Sequence, residues 1–203
     1  MDAAIIRAVN KLWLPAYPGI ARQIAEHCTR PPGRILEAGC FSGGIGLMLL
    51  QQFPESTLSL ALEIEELTRT FASDWEGLID ARRPDRYQIL PAPLVFLDRP
   101  LRTFDLVIFR GVFFFLDEGG DLLSRLYRFL SPGGFVFAGG GYGAYTPPEV
   151  IEGIAEESRR LNQALGRKIF SREAFEQANA GAGLAARSRL IEEGGLWAIM
   201  KKA

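Results

Sequence analysis

The segment at residues 34–50, RILEAGCFSGGIGLMLL, constrains the fold of this chain more than any other. A short apolar run at Ile35 and Leu36 leads to Glu37, a glycine-dense turn follows, and an apolar segment of helical character comes next. Strand, glycine turn and helix in this order bring the backbone of an α/β protein close to a nucleotide-like ligand. Glycine suits such a turn because it lacks a Cβ and adopts positive φ angles.

Apolar strands alternate with amphipathic helices along the rest of the chain. The run FDLVIF at residues 104–109 is almost continuously apolar, which is typical of a strand that is buried on both faces. Two further strands flank Gly194 and Gly195 near the end, and that glycine pair predicts a hairpin. The sequence therefore predicts an α/β fold with a Rossmann-like, doubly wound, mostly parallel seven-stranded sheet and a C-terminal antiparallel hairpin.

The pattern also gives bounds for the individual elements. The predicted strands cover residues 34–38, 57–62, 87–90, 104–109, 135–138, 185–191 and 196–201. The predicted helices cover residues 3–13, 18–29, the segment that Pro54 ends, 65–79, 118–130, 147–165 and a short segment that begins at Ser171. The SPGG sequence at residues 131–134 is predicted to end the helix before the fifth strand.

Composition limits the classes of partner. The chain has 203 residues, with 23 basic and 24 acidic side chains and a net charge of −1, so no overall charge favours nucleic acid or an anionic membrane. The two cysteines, Cys28 and Cys40, are not arranged as a CxxC motif, which predicts a reducing, cytoplasmic location and no zinc site. No apolar run reaches the length of a membrane span, and no signal peptide is expected.

The glycine turn fits two kinds of ligand site imperfectly. A dinucleotide fingerprint, GxGxxG, and a nucleoside-type turn, GxGxG, both require glycine where this chain has Phe41. Three features favour the nucleoside-type turn: Glu37 two residues before Gly39, the SPGG sequence before the fifth strand, and the closing antiparallel hairpin. In a purely structural alternative, the glycines only permit close packing of a helix on a strand.

The chain resembles the class I S-adenosylmethionine-dependent methyltransferases. The segments that carry the resemblance are ILEAGCFSGGIG, LALEIEELTRTFA, FDLVIFRGVFFFLDEGGDLLSRLYRFLSPGGFVFAGGGYG and the final GLWAIMKK. It is most similar to a small-molecule-type, methyltransferase type 11-like branch with a YPxIAxQI segment before the first strand and a GGGFG-like turn after the fifth. The resemblance covers about residues 15–145 and the last strand. It implies S-adenosyl-L-methionine as cofactor and an activity in EC class 2.1.1.

The resemblance also implies which residues bind the cofactor. The backbone of the glycine turn would run alongside the methionine part of the cofactor, with Glu37 close to that part. Glu63 would accept hydrogen bonds from both ribose hydroxyls. Ile64 would pack on the adenine, and Tyr17 would lie near the methyl group. The full set of expected cofactor-binding residues is Tyr17, Glu37, Ala38, Gly39, Cys40, Phe41, Gly43, Glu63, Ile64, Ala92 and Arg110.

Two positions depart from the family pattern. Phe41 replaces the middle glycine, so its side chain must point away from the cofactor or fill part of the pocket. After the third strand the family often has an acid that binds the adenine amine, whereas this chain has Pro91, Ala92 and Pro93. The backbone at Ala92 remains as an expected adenine contact.

Catalytic residues cannot be assigned from the sequence, and the candidates are Tyr17, Arg110 and Tyr142. Arg110 follows the fourth strand, and its expected role is either bidentate binding of a cofactor or substrate carboxylate or a structural salt bridge to Asp117 or Glu118. Asp117 and Glu118 are also weak candidates for a general base. No cluster of Cys, His or carboxylate residues has the spacing of a metal site.

The sequence therefore predicts methyl transfer from S-adenosylmethionine to an unidentified, small-molecule acceptor, with no nucleic-acid or membrane partner. One alternative is a catalytically degenerate methyltransferase-fold protein that binds cofactor or a partner. The other is a nicotinamide-dependent oxidoreductase. We expect one class I methyltransferase domain over residues 1–203, with an N-terminal helical cap at residues 1–30 and a Rossmann-like core at residues 33–203. The oligomeric state is not predicted.

Overall fold

A seven-stranded sheet forms the centre of the computed structural model, which describes residues 1–90, 94, 104–166 and 171–203. The strands are β1 (Arg34–Ala38), β2 (Thr57–Ala61), β3 (Tyr87–Ile89), β4 (Phe104–Arg110), β5 (Leu130–Gly140), β6 (Ser188–Ile191) and β7 (Leu196–Lys201). The α-helices are α1 (Ala3–Leu12), α2 (Tyr17–Glu26), α3 (Gly44–Gln52), α4 (Glu65–Asp74), α5 (Asp121–Arg128), α6 (Pro148–Ala164) and α7 (Arg172–Gly181).

The strand order is β3-β2-β1-β4-β5-β7-β6, and the first five strands of this order are parallel. Strand β7 is antiparallel to both β5 and β6, and the turn between β6 and β7 contains Gly194 and Gly195. The order reverses between β1 and β4, which is where ligands bind in doubly wound sheets. The predicted fold class, including the C-terminal antiparallel hairpin, is confirmed.

Apolar side chains on alternate strand positions cover both faces of the sheet. On β4, Leu106 and Ile108 belong to one core cluster, which also contains residues of α1, α2, α3 and α4. Val107 and Phe109 point to the opposite face and belong to a second cluster with residues of α5 and α7. All four side chains are at most 1 % exposed. This arrangement explains why the FDLVIF run is apolar at nearly every position.

The SPGG sequence lies inside β5, so the expectation that it ends the preceding helix is wrong. Helix α5 ends at Arg128, and β5 already begins at Leu130, which pairs with Phe104. Gly133 N donates to Lys202 O (3.0 Å), and Lys202 N donates to Gly134 O (2.9 Å). The register of β4 and β5 shifts between Phe104 and Leu106. This bulge accommodates the proline, which cannot donate to the sheet.

Several element ends differ from prediction by a few residues. Helix α4 ends at Asp74 because Trp75 leaves the helical conformation, with φ −119° and ψ 15°, and folds back on the core. Helix α5 begins at Asp121 rather than near residue 118. There the Asp117 carboxylate accepts hydrogen bonds from the backbone N–H groups of Asp121 (3.0 Å) and Leu122 (3.3 Å).

The two N-terminal helices pack across the helical face of the sheet that carries α3 and α4. Arg7 on α1 makes a side-on pair with Asp74 on α4, with Nε 2.9 Å from Oδ2 and Nη2 2.6 Å from Oδ1. Helix α2 packs on α3, and α1 also contacts α6. Within the described ranges, no helix is both long and apolar enough to cross a membrane.

Asp105 is expected to be a strong determinant of stability because it joins three strands. Its Oδ2 accepts from the N–H groups of Gly33 (2.8 Å) and Arg34 (3.0 Å) at the start of β1, and its Oδ1 accepts from Ser131 Oγ (3.0 Å) on β5. Asp105→Ala leaves these donors without their acceptor. Urea unfolding should show a loss of about 1–3 kcal/mol. Arg30→Ala is the control, since its exposed guanidinium lies 3.9 Å from the same carboxylate, and its cost should stay below about 0.5 kcal/mol. Equal costs would contradict this account.

Candidate active site

The glycine turn lies at the carboxyl end of β1, next to the point where the strand order reverses. Gly39 and Gly43 have φ angles of +99° and +121°, which favour glycine, and α3 begins directly afterwards at Gly44. A Cβ on Gly43 would lie 2.7 Å from Trp75 Nε1. The Ser42 hydroxyl donates to Gly39 O (2.8 Å) and holds the turn closed. The turn therefore needs glycine both for its conformation and for packing.

Glu37 on β1 is fully buried and points at the first turn of α3. Its Oε2 accepts a hydrogen bond from Gly46 N (2.8 Å), whereas Oε1 has no partner among the described residues. Burial raises the pKa of Glu37 to about 7, against the opposing effects of the backbone N–H groups of Gly43 and Gly46 and of the Arg110 cation. The carboxylate thus caps α3, whose N-cap residue Gly43 has no side chain to do so.

Glu63 and Ile64 follow β2, the neighbour of β1. The last residues of these strands, Ala38 and Ala61, are paired, so Glu63 lies at the same edge of the sheet as the glycine turn. Glu63 is half-buried; burial raises the pKa of its carboxyl, and a backbone hydrogen bond from Leu94 partly opposes that effect. Ile64 is the N-cap residue of α4 and packs against the core.

Arg110 ends β4, on the other side of β1, and its guanidinium is buried with 5 % of the residue exposed. Its Nη2 donates to Asn10 Oδ1 (3.0 Å) and to Tyr17 Oη (3.0 Å), and the Tyr17 hydroxyl donates to Asn10 Oδ1 (3.2 Å). Arg110 Nε is buried and has no hydrogen-bond partner within the ranges that the structure describes. Arg110, Asn10 and Tyr17 therefore form a closed triangle between β4 and the two N-terminal helices.

Three aromatic rings surround the same guanidinium. Its Cζ lies 4.5 Å from the ring centroid of Trp13, 4.8 Å from that of Phe41 and 5.3 Å from that of Tyr17. The aromatic faces stabilise a cation that water does not reach. Among the described residues Arg110 forms no ion pair, so a salt bridge to Asp117 or Glu118 is not present. The Asp117 carboxylate instead caps α5.

Tyr17 connects this triangle to the glycine turn. The residue is fully buried at the start of α2, and its ring packs directly on Gly44, where a Cβ would collide with it. Burial raises the pKa of Tyr17 to about 12 although Arg110 acts to lower it. Its phenol is therefore neutral at physiological pH, which makes the side chain a poor general base in this arrangement.

Phe41 is buried (2 % exposed) and fills the space over Gly111. A Cβ on Gly111 would lie 2.5 Å from Phe41 Cδ2, and Gly111 itself has a φ of +76°. The Phe41 ring also packs on Phe114, with centroids 5.5 Å apart. The side chain thus contacts the Arg110 region rather than solvent. The bulky residue at position 41 and the glycine at position 111 are sterically complementary.

The loop after β5 packs against α2 and the hairpin turn. Tyr142 stacks on Trp13 with centroids 4.7 Å apart. Tyr145 donates a 2.5 Å hydrogen bond to Glu26 and lies under Arg22, so it is bound to the outer surface of α2. Gly141 lies so close to the turn between β6 and β7 that a Cβ would collide with Gly195. Close backbone packing explains part of this glycine run.

The structure brings most of the predicted residues together and leaves one outside its range. The glycine turn, Glu37, Tyr17, Phe41 and Arg110 form one connected group. Ala38 and Cys40 are buried beside them, and burial raises the pKa of the Cys40 thiol to about 12. Ala92, with the rest of the turn at residues 91–93, lies outside the described residues. The roles of all these residues in binding stay predictions.

Asn10, Trp13 and Trp75 are site residues that the sequence analysis missed. Asn10 is a buried amide on the apolar face of α1, and Trp13 directly follows that helix. Their contacts with Arg110 join positions about a hundred residues apart, which no local pattern reveals. In the described part of the chain, no group of three or more His, Cys, Asp or Glu side chains could hold a metal ion.

A sequence profile of the family described as "Methyltransferase domain" matches residues 36–138. This range begins in β1 and ends in β5, so it includes the glycine turn, Glu63 and Arg110. It covers about half of the chain. A search of curated protein sequences found no significant match.

Solved structures resemble the whole chain. A putative S-adenosyl-L-methionine-dependent methyltransferase from Methanococcus maripaludis has a TM-score of 0.79 and 23% identity, with 99% of this chain and 92% of that chain covered. Geranyl diphosphate C-methyltransferase from Streptomyces coelicolor A3(2), in complex with Mg²⁺, geranyl diphosphate and S-adenosyl-L-homocysteine, has a TM-score of 0.60 and 16% identity, with 89% and 76% covered.

An O-methyltransferase family 2 protein from Planctomyces limnophilus, in complex with apigenin, has a TM-score of 0.59 and 16% identity. The alignment covers 91% of this chain and 56% of that chain, so the present chain spans about half of its length. At these identities the three likenesses concern the fold.

Glu37→Gln should remove a pH-dependent loss of stability. The folded-state pKa of about 7 lies above the ordinary value of 4.5, so the folded protein holds the proton more tightly than the unfolded chain. The stabilisation is complete below the lower value and is lost as the pH rises through about 7. Relative to the variant, the wild type should lose roughly 2–3 kcal/mol of unfolding free energy between about pH 5 and about pH 8.

Urea denaturation at both pH values measures this difference. Glu65→Gln is the control, because it removes an exposed carboxylate from α4. The difference in unfolding free energy between this control and the wild type should not show the same change with pH. A wild type and a Glu37→Gln variant with parallel pH dependences would contradict the assignment.

Proposed function

The chain belongs to the methyltransferase domain family and is a class I S-adenosylmethionine-dependent methyltransferase, and from this we propose that it methylates a small-molecule acceptor. The observation that carries the proposal is the glycine turn at residues 39–43, which lies between the carboxylates of Glu37 and Glu63 and beside Arg110 at the switch point of the sheet. This is the edge at which the fold binds its ligands.

The residues present fit S-adenosylmethionine. Gly39 and Gly43, which both have positive φ angles, set the backbone of the turn along the edge of the sheet. Glu37 Oε1 is buried and has no hydrogen-bond partner among the described residues. Glu63 is a half-buried carboxylate at the end of the adjacent strand. Together they offer acceptors to the amine and hydroxyl groups of a nucleoside with an amino-acid tail.

Each carboxylate would have its own role in binding. Glu63 would accept hydrogen bonds from both ribose hydroxyls, since a carboxylate accepts two O–H donors at once. Glu37 Oε1 would accept a hydrogen bond from the amino group of the methionine part, while Oε2 continues to cap α3. Ile64 would present an apolar surface to the adenine, and the backbone of residues 39–43 would run alongside the methionine part of the cofactor.

When bound, the cofactor supplies an activated sulfonium methyl group. The chain itself then has to orient the acceptor and exclude water. The Arg110 triangle serves both purposes, because it fixes α1 and α2 over the ends of β1 and β4 with buried contacts. Tyr17 stays a neutral phenol and acts there as a positioning residue. Tyr142, which follows β5 and stacks on Trp13, would form part of the wall of the acceptor site.

A small-molecule acceptor is supported by two observations. The net charge of −1 provides no overall electrostatic attraction for a nucleic acid. The structurally similar Streptomyces and Planctomyces proteins are complexes with geranyl diphosphate and apigenin, both small molecules. We also propose that residues 1–30 act as a cap on a core at residues 33–203 within one domain. The free thiols of Cys28 and Cys40 support a cytoplasmic location.

Phe41 favours a second candidate, a cofactor-binding protein without turnover. Its ring occupies space between the glycine turn and Gly111 that a glycine at position 41 would leave open. Binding of cofactor without methyl transfer to any member of a broad acceptor panel would favour this candidate over the enzyme.

Glu63→Ala should weaken binding of S-adenosylhomocysteine by about 10- to 100-fold, because two hydrogen bonds to a charged acceptor are lost. Calorimetric titration measures the change. Glu65→Ala is a matched control two residues away, since the Glu65 side chain is 86% exposed on α4, and its affinity should stay within about twofold of wild type. An unchanged affinity in Glu63→Ala would remove the ribose role from this carboxylate.

A further inference from the structure

A small cavity adjoins Arg110 on the side away from Glu63. It has a volume of about 40 Å³, and its lining includes Trp13, Phe41, Phe114, Gly140 and Asn162. Glu63 follows β2, which lies on one side of β1 and its glycine turn. Gly140 is the last residue of β5, which lies on the other side of β1, next to β4. The cavity thus lies at the ends of β4 and β5, the second and third strands from β2, whereas the carboxylate that is proposed to bind the ribose follows β2 itself.

The charge at this cavity is not balanced. Arg110 is 5 % exposed, yet the described residues offer it no salt-bridge partner. Its Nη2 is engaged with Asn10 and Tyr17, but Nε is buried without an acceptor, and Nη1 has no partner in the described part of the structure. Glu37 acts on Arg110 only from beyond salt-bridge distance, and its pKa of about 7 leaves it partly protonated near neutral pH. A buried cation with unused donors favours an anionic ligand.

The size of the cavity indicates which anion fits. A water-sized group needs about 10–15 Å³ of such volume, so the cavity holds about three non-hydrogen atoms. A planar carboxylate has that number, whereas a phosphate group is larger. The remaining walls are aromatic rings, glycine backbone and Asn162. Such walls suit the flat, apolar body to which the carboxylate is attached.

We propose that the methyl acceptor is a small molecule with a carboxylate group, and that this group docks on Arg110 in the cavity walled by Trp13, Phe41 and Phe114. The inference rests on the proposed function, because it names the acceptor class of that same site. The Arg110 donors hold the carboxylate, while the body of the acceptor extends beyond the cavity along the ends of β4 and β5. The anion also offsets the repulsion between the guanidinium and a sulfonium cation nearby.

The test is calorimetric titration of the protein with benzoate after saturation with S-adenosylhomocysteine, with benzamide as the uncharged probe of the same shape. Wild type should bind benzoate at least about tenfold more tightly than benzamide. Arg110→Gln, at a saturating concentration of S-adenosylhomocysteine, should weaken benzoate binding at least about tenfold and reduce its affinity to that of benzamide. Equal affinity of the wild type for the two probes, or unchanged benzoate binding in Arg110→Gln, would overturn the proposal.

Two further variants keep the test decisive. Arg86→Gln is the matched control, since Arg86 is also a buried arginine but donates to the carbonyl oxygens of Ser56, Leu50 and Phe53, and benzoate affinity should not change. If Arg110→Gln does not fold, Asn162→Asp takes its place. It adds a negative charge to the cavity lining and should weaken benzoate binding at least about tenfold more than benzamide binding. The comparison with benzamide is needed because Asn162 Nδ2 also donates hydrogen bonds to Ser158 O and Oγ, which a carboxylate cannot do.

The titrations also separate this inference from the proposed function. Loss of S-adenosylhomocysteine affinity in Arg110→Gln, together with no benzoate binding to the loaded wild type, would show that Arg110 holds the carboxylate of the cofactor, and the proposal would be wrong. Failure of the wild type to bind S-adenosylhomocysteine would instead overturn the proposed function. Titration of the free protein with benzoate and benzamide would then decide the carboxylate site.

Discussion

The arrangement of this site depends on the contacts that surround the buried guanidinium of Arg110. A charge removed from water is costly unless other groups replace its hydration. Here the replacement comes from the Asn10 amide, the Tyr17 hydroxyl and three aromatic faces. These groups belong to α1, the segment after it, α2 and the glycine turn. The cation at the end of β4 therefore holds the N-terminal helices and the glycine turn together.

Phe41 has a clear structural role within this arrangement. The residue replaces a glycine of the family pattern, and its ring supplies one of the aromatic faces over Arg110. The space for that ring exists because residue 111 is glycine. The side chain at position 41 is therefore packed into its surroundings. The glycines that set the backbone of the turn, Gly39 and Gly43, are retained.

Much of the fold could be predicted from sequence because its signals are local. The apolar run of β4, the glycine turn after β1 and the Gly194-Gly195 hairpin were each predicted close to their observed positions. The position of the SPGG sequence inside β5 was not predictable, because the pairing of this segment with Phe104 and Lys202 depends on strands distant in sequence. Helix α4 was predicted too long because Trp75 leaves the helix to reach the core.

The site was predictable only in part, for the same physical reason. Glu37, Glu63 and Arg110 are recognisable because each stands at or near the end of an apolar strand. Arg110 was expected to pair with a nearby carboxylate, yet its partners are Asn10 and Tyr17, from helices that precede the sheet. Sequence patterns identify which residues reach the edge of a sheet, but not which distant helix packs over them. Family membership, rather than any single residue, decides against a nicotinamide-dependent oxidoreductase.

The most direct test of the account is a calorimetric comparison of S-adenosylmethionine with NADH on the wild-type protein. We expect micromolar binding of S-adenosylmethionine and no measurable binding of NADH. Binding of NADH in preference to S-adenosylmethionine, or binding of neither ligand, would contradict the claim that the glycine turn between Glu37 and Glu63 is a methyl-donor site.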